Sequence, residues 1–179
     1  MLMFHHKQQY GFTLIELVVF IVVLAVGLTG TVLVINQTVA NAPKAMMHIR
    51  AMEIAQAYLD EISTKRFDEN TGQGGLPVCD SPTPVAPITP CSNVMGPEGS
   101  ETRNIFNDVD DYHGTNDSPP VDASGITNAD YVGYGVQISI SYAGNDLALA
   151  NNRFAKRINL VITSPFGDQI PVSYYRTNF

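Results

Sequence analysis

The chain begins with a long apolar segment that contains one acidic residue. Between Phe12 and Ile35, Glu16 is the only charged residue, and most other side chains are aliphatic or aromatic. This run has 24 residues, and as an α-helix it would extend about 36 Å. The hydrocarbon core of a bilayer is about 30 Å thick. The pattern therefore predicts a membrane-spanning helix over residues 12–35.

A helical pattern continues beyond the apolar run. Pro43 and the pair Gly27 and Gly30 are expected to soften the helix, because proline removes a backbone hydrogen bond and glycine has a low helix propensity. Residues 36–66 are predicted to form the amphipathic half of one long helix, or of two helices in line, packed on a globular domain. The apolar residues recur at spacings of three and four and are Ile49, Met52, Ala55, Leu59 and Ile62.

Residues 67–130 show no sustained period and form a distinct acidic segment. Their many prolines exclude long helices and central strands. The segment carries eleven acidic residues and only Arg103 as a basic one, whereas the whole chain has a net charge of -7. Such a surface would repel phosphates, so we expect no nucleic-acid partner. The sequence predicts a long acidic loop region with room only for short strands.

The last part of the chain alternates apolar and polar residues. Alternate positions from Val132 to Tyr142 are apolar or aromatic, and similar runs follow at 158–162 and 170–174. This pattern is typical of half-buried strands, and Pro171 would place the last strand at a sheet edge. Residues 131–179 are predicted to form a three-stranded antiparallel β-meander covered by the amphipathic helix. The expected fold class is α+β.

Two cysteines, Cys79 and Cys91, flank a stretch rich in proline, serine and threonine. They form no CxxC motif and have no histidine nearby, which argues against a zinc site. In an oxidising compartment they would form a disulfide, whereas in a cytoplasmic domain they would remain free thiols. Lys7 and the short N-terminus favour a cytoplasmic start and an exported domain. We therefore predict a disulfide between Cys79 and Cys91.

The residues around Glu16 form a specific motif. Gly11 precedes an aromatic residue, three uncharged residues and the glutamate, in the order Gly-Phe-Thr-Leu-Ile-Glu, and the long apolar run follows. This motif resembles the class III signal of type IV pilins and of the pseudopilins of type II secretion. The resemblance implies that a prepilin peptidase cuts between Gly11 and Phe12, so that residues 1–11 are a cytoplasmic leader peptide. It also implies that Phe12 is then N-methylated.

The same resemblance implies a role for Glu16 in assembly. Glu16 would be the fifth residue of the mature chain, and in a filament its carboxylate would pair with the amino terminus of a neighbouring subunit. A lone charge in apolar surroundings is costly, whereas a paired charge is tolerated. The pair would fix the register of the packed helices, as buried polar groups do in coiled coils.

The resemblance also implies a fold, a location and partners. The fold is the type IV pilin fold, a long N-terminal helix packed on a C-terminal antiparallel sheet. The chain would cross the inner membrane of a Gram-negative bacterium once, with the C-terminal domain in the periplasm, before it reaches the pilus at the cell surface. The partners would be other pilins of the same fibre, the prepilin peptidase and an inner-membrane assembly platform.

Three stretches outside the signal, 55–62, 104–114 and 155–179, resemble minor pilins. A minor pilin of a type IV pilus is therefore the first functional hypothesis. The alternatives are a pseudopilin of a type II secretion system and a pilus-tip adhesin. Gene neighbourhood would separate the first two, and glycan binding would test the third.

Other chemistry has weaker support in the sequence. Four aspartates weakly resemble a calcium loop, but Tyr112 and Pro119 stand where further ligands are needed. We therefore expect turn-forming aspartates and no metal. No G-x-S-x-G, HExxH or P-loop motif is present, so we expect neither catalysis nor a cofactor. The aspartates are Asp108, Asp110, Asp111 and Asp117. Five tyrosines could line a sugar platform, although packing is the better explanation for residues at strand positions; they are Tyr131, Tyr134, Tyr142, Tyr174 and Tyr175.

Overall fold

One long helix forms the N-terminal part of the chain. The computed structural model describes residues 11–81 and 89–178, and in it α1 spans Leu14–Ser63. The helix has 50 residues, and Pro43 lies inside it without dividing it in two. The predicted leader peptide, apart from Gly11, lies outside the described residues.

The chain divides into two compact units, Met1–Ala45 and Met46–Phe179. In the first unit every side chain that the structure describes is exposed, including the whole apolar run from Phe12 to Ile35. The first unit thus has no core of its own among its described residues. The second unit contains the C-terminal part of α1, the acidic segment and a sheet.

The sheet of the second unit has four antiparallel strands in the order β1-β2-β3-β4. Its central pairing aligns Ile138 with Leu160 and Leu160 with Val172. The three long strands form the predicted meander, and Pro171 lies on the edge strand, where its missing N–H is harmless. The strands are β1 (Asn116–Asp117), β2 (Gly135–Tyr142), β3 (Ala155–Thr163) and β4 (Gln169–Thr177).

The core of the second unit lies between α1 and one face of the sheet. The predicted helix face is partly wrong, because Ile49 and Met52 are 59% and 42% exposed whereas Ile54 and Tyr58 are buried. This part of α1 carries apolar residues on two faces, and spacing alone does not tell which one meets the sheet. The predicted α+β fold class, with the helix packed on an antiparallel sheet, is confirmed. The buried helix residues are Ala51, Ile54, Ala55, Tyr58 and Ile62.

The acidic segment is part of the packed second unit. Val109 and Tyr112 are fully buried in the main core, and the segment supplies β1, which pairs with β2. Val132 was expected to face the core but is 69% exposed, because β2 begins only at Gly135. Short 3-10 turns lie at Gln73–Gly75, Arg103–Ile105, Asp110–Tyr112, Ala129–Tyr131, Gly144–Leu147 and Asn152–Phe154.

Candidate assembly site and the elements that support it

A threonine caps the start of α1. The hydroxyl of Thr13 accepts a hydrogen bond from the backbone N–H of Glu16 at 3.4 Å, and its carbonyl accepts one from the N–H of Leu17 at 3.2 Å. A threonine followed three residues later by glutamate is the capping-box sequence, a signal that the sequence analysis did not use. The acidic residue in the first turn also suits the positive end of the helix dipole. The helix therefore begins directly after the predicted cleavage position.

Glu16, in the first turn of α1, lies near Phe12, which precedes the helix. Both residues, with Leu17 and Phe20, line an apolar depression on the helix surface. Glu16 is exposed, and it takes part in none of the ion pairs formed among residues 11–81 and 89–178. An unpaired charge at the centre of a bilayer would cost about 2.5–3.5 kcal/mol. The site thus presents a carboxylate that has no cationic partner within the described chain.

The apolar part of α1 is suited to lipid. α1 is long and apolar enough to cross a membrane, judged by its length and composition. Its threonine hydroxyls are satisfied within the helix: Thr29 donates to the carbonyl of Ala25 at 2.7 Å, and Thr31 donates to that of Leu28 at 2.8 Å. Such internal bonds remove the cost of placing a hydroxyl in hydrocarbon.

A disulfide joins Cys79 and Cys91 in the second unit. Arg153 holds the surrounding loop, because its Nε donates to the carboxylate of Asp80 at 2.7 Å and its Nη2 donates to the carbonyl of Cys91. Asn178, near the end of the chain, donates from Nδ2 to the carbonyl of Cys79 at 2.8 Å. The disulfide loop therefore contacts the turn before β3 and the residue after β4, and no sequence motif predicts these contacts. Its residues 82–88 lie outside the described residues.

A buried lysine joins the acidic segment to the sheet. Lys156 of β3 is fully buried, and its Nζ donates to the carbonyl of Phe67 at 2.6 Å, to Asp68 at 3.0 Å and to Asp110. Burial acts to raise the pKa of Asp68, but the Lys156 ammonium and nearby N–H donors outweigh burial and lower that pKa. The sequence analysis missed Lys156, because a lone lysine in an alternating strand normally faces water.

The four aspartates singled out in the sequence do not share one site. Asp117 accepts a hydrogen bond from the hydroxyl of Tyr58 at 2.7 Å, and Asp110 faces Lys156. Asp108 and Asp111 cap the turn between them: Oδ1 of Asp108 accepts from the N–H of Asp110 at 2.9 Å, and Oδ2 of Asp111 accepts from the N–H of Asp108 at 3.0 Å. The predicted turn-forming role is confirmed for Asp108 and Asp111.

Two glutamates that the sequence analysis did not single out lie beside these aspartates. Burial and the charges of Asp111 and Asp110 raise the pKa of Glu98 to about 7. Burial and the nearby carboxylate of Asp111 raise the pKa of Glu101. Burial, a hydrogen bond with Asp110 and its charge raise the pKa of Asp108 to about 9. Because these carboxyl groups lie close together, ionisation of all of them at once is unfavourable.

The tyrosines do not form one exposed platform. Tyr134 is buried, and the hydroxyl of Tyr142 donates inward to the carbonyl of Ser92 at 2.7 Å. Tyr174 and Tyr175 are neighbours in β4, so their side chains point to opposite faces of the sheet. Packing, the favoured interpretation of these residues, accounts for Tyr134 and Tyr142.

Residues 6–32 match a family model described as the prokaryotic N-terminal methylation motif. The match covers Gly11, Phe12 and Glu16. The chain therefore carries a type IV prepilin-like signal, and a signal of this kind implies processing by prepilin peptidase and assembly with other pilins. Such a signal points to a structural rather than an enzymatic protein. Comparison with curated proteins and comparison with solved structures gave no match.

Proposed function

We propose that this chain is a minor pilin of a type IV pilus. The match of residues 6–32 to the methylation motif is the observation that carries the proposal. Prepilin peptidase removes residues 1–11, and the amino group of Phe12 receives a methyl group. Residues 12–35 then anchor the mature subunit in the inner membrane, with residues 36–179 on the periplasmic side, until the subunit enters the fibre.

Glu16 directs assembly in this proposal. Its carboxylate is exposed beside Phe12 and has no partner in the described chain. Phe12 and Glu16 are about one helical turn apart, so the amino terminus of one subunit can reach Glu16 of a neighbour when the two helices are shifted along their axes. The ion pair offsets the cost of the buried charge and selects one helix register.

The rest of the chain supports a particular minor pilin. The stretches 55–62, 104–114 and 155–179 resemble MshD, a minor pilin of the mannose-sensitive haemagglutinin (MSHA) pilus. These stretches meet in the second unit: the hydroxyl of Tyr112 donates to Glu61 at 2.6 Å, and Lys156 binds Asp110. Because the three similar stretches contact one another, the resemblance favours the same folded domain in this chain and in MshD. We therefore propose an MSHA-type pilus as the fibre.

A type II secretion pseudopilin is the alternative, because the same processing signal serves both systems. No specific observation favours the third hypothesis, a pilus-tip adhesin, since the tyrosines considered as a sugar platform are dispersed.

A Glu16→Val variant tests the assembly role. The variant is expressed in the pilus-bearing host in place of the natural subunit, and its size in whole cells and its amount in sheared pili are measured. We expect normal removal of the leader peptide and at least about a tenfold loss from the pilus fraction, the change that about 1.4 kcal/mol produces.

Glu53→Val is the matched control, because Glu53 is an exposed glutamate on the same helix but in the second unit. It should enter the fibre normally. Equal amounts of the Glu16→Val and natural subunits in sheared pili would rule out the pairing role. If neither the Glu16→Val variant nor the natural subunit is found in pili, and deletion of the gene causes a secretion defect, the pseudopilin hypothesis is favoured.

A further inference from the structure

We propose that Glu98, Glu101 and Asp111 form a calcium site in the acidic segment, because each buries a carboxylate oxygen that has no hydrogen-bond partner in the protein. This site differs from the four-aspartate loop that the sequence weakly suggested. It shares only Asp111 with that loop. It lies within the second unit and does not depend on the chain being a pilin.

The three side chains converge closely enough to share one ion. Each offers a carboxylate oxygen, and these oxygens all lie within 4.8 Å of one another. Calcium binds oxygen at about 2.3–2.6 Å, so two oxygens on one ion can be up to about 5.2 Å apart. The separations therefore lie in the range that a single calcium ion can bridge.

Asp111 and Glu101 each use one carboxylate oxygen to hold their position and leave the other oxygen without a partner. Asp111 is 1% exposed, and its Oδ2 accepts from the N–H groups of Asn107 and Asp108 while Oδ1 is buried without a partner. Oε1 of Glu101 accepts from Nδ2 of Asn107 at 3.1 Å, and Oε2 is buried without a partner. Buried polar atoms in native proteins are normally satisfied, and a bound cation would satisfy these oxygens.

The nearby basic side chains are already engaged elsewhere. Arg103 binds Glu61 at 2.8 Å, and Lys156 binds Asp68 and Asp110. Arg66 binds Glu69 at 2.7 Å. Among the ion pairs of the described chain, none includes Glu98, Glu101 or Asp111, so no basic side chain there occupies the place of a cation.

The donor set favours calcium over other cations. All donors are carboxylate oxygens on loops, which hard cations prefer, and calcium accepts irregular arrangements of such ligands. Magnesium keeps several waters and is usually held by only one or two carboxylates. A second group, Glu69, Glu98 and Asp108, is also within 4.8 Å, but Arg66 already occupies Oε2 of Glu69, so the first group is the primary site.

Calcium bound by Glu98, Glu101 and Asp111 would connect the 98–101 loop to the turn that contains Asp111, next to the buried residues Val109 and Tyr112. An ion that binds the native state and not the unfolded chain stabilises it by RT ln(1 + c/Kd), where c is the free ion concentration, so the melting temperature rises with that concentration. The expected dissociation constant is on the order of 10⁻⁴–10⁻³ M, the range of extracellular calcium modules.

The test uses the full chain in detergent, stripped of metal with a chelator. Calcium chloride and magnesium chloride are titrated in separate calorimetric experiments, and the melting temperature is recorded with each salt. We expect heat from one calcium ion per chain, a higher melting temperature in calcium, and a weaker response to magnesium. Absence of heat and of any shift with calcium, or an equal response to both ions, would overturn the proposal.

Three variants locate the site. Glu101→Gln and Asp111→Asn keep the shapes and acceptor oxygens of the side chains, and each should weaken calcium binding at least about tenfold. Asp130→Asn, a change at an exposed aspartate, is the matched control and should bind calcium normally. Unchanged affinity in both Glu101→Gln and Asp111→Asn would show that calcium binds elsewhere and would contradict the assignment.

Discussion

Lys156 joins two parts of the acidic segment to the sheet. It is fully buried, and its acceptors Asp68 and Asp110 come from two separate parts of that segment. Removing one member of a buried ionic group leaves its partners charged and uncompensated, which typically costs about 3–5 kcal/mol. Lys156 therefore ties the segment to the sheet, although segment and sheet are far apart in the sequence.

A Lys156→Met variant should lower the free energy of unfolding by about 3–5 kcal/mol, measured by denaturant titration of the full chain in detergent. Arg50→Met, at an exposed position of α1, is the control and should stay within about 0.5 kcal/mol of the natural protein. A Lys156→Met variant as stable as the control would show that the buried charges carry no net stabilisation.

The buried group of Lys156, Asp68 and Asp110 also determines how the stability of the protein should respond to acid. The pKa of Asp68 is lowered below its ordinary value of 3.8, so the native state binds fewer protons than the unfolded chain. The stabilisation that ionised Asp68 gives to the native state is present above about pH 4 and is lost as the pH falls through the lower native pKa. Asp68→Asn should therefore lose less stability than the natural protein between neutral pH and about pH 3. A steeper acid loss in the variant would contradict the ion pair.

At the scale of elements, the described ends of the disulfide loop contact Arg153, just before β3, and Asn178, just after β4. Cys79 and Cys91 are separated by 12 positions, and closing a loop of this length stabilises by about 3 kcal/mol in the chain-entropy model. The Cys79→Ser, Cys91→Ser double variant should melt at a lower temperature than the oxidised protein. Reductant should lower the melting temperature of the natural protein and leave that of the double variant unchanged. An equal effect of reductant on both would contradict a structural disulfide.

The sequence predicted elements better than it predicted their contacts. The long apolar run was sufficient to predict the helix α1, and the alternation of apolar and polar residues was sufficient to predict the strand β2, because both patterns are local. The buried face of α1 was partly missed, since Ile49 and Ile54 are equally apolar and only the sheet decides which is covered. Lys156 and the group formed by Glu98, Glu101 and Asp111 could not be predicted, because their partners are distant in sequence or belong to loops without a period.

At the scale of the whole molecule, the two units have different physical roles. The first unit has no buried side chain among its described residues, so its apolar surface must be covered by lipid or by other subunits. The second unit has a core of its own, formed by α1 and the sheet. The first unit therefore requires a membrane or a filament around it, whereas the second unit buries its own apolar residues.

The central claim is that the chain is a prepilin whose mature form begins at Phe12. The most direct measurement is the mass and N-terminal sequence of the protein recovered from cells that contain prepilin peptidase, compared with cells that lack it. The account predicts that residues 1–11 are absent and that Phe12 carries one methyl group on its amino nitrogen, only when the peptidase is present. A chain that keeps Gly11, or that is cut at another bond, would contradict it.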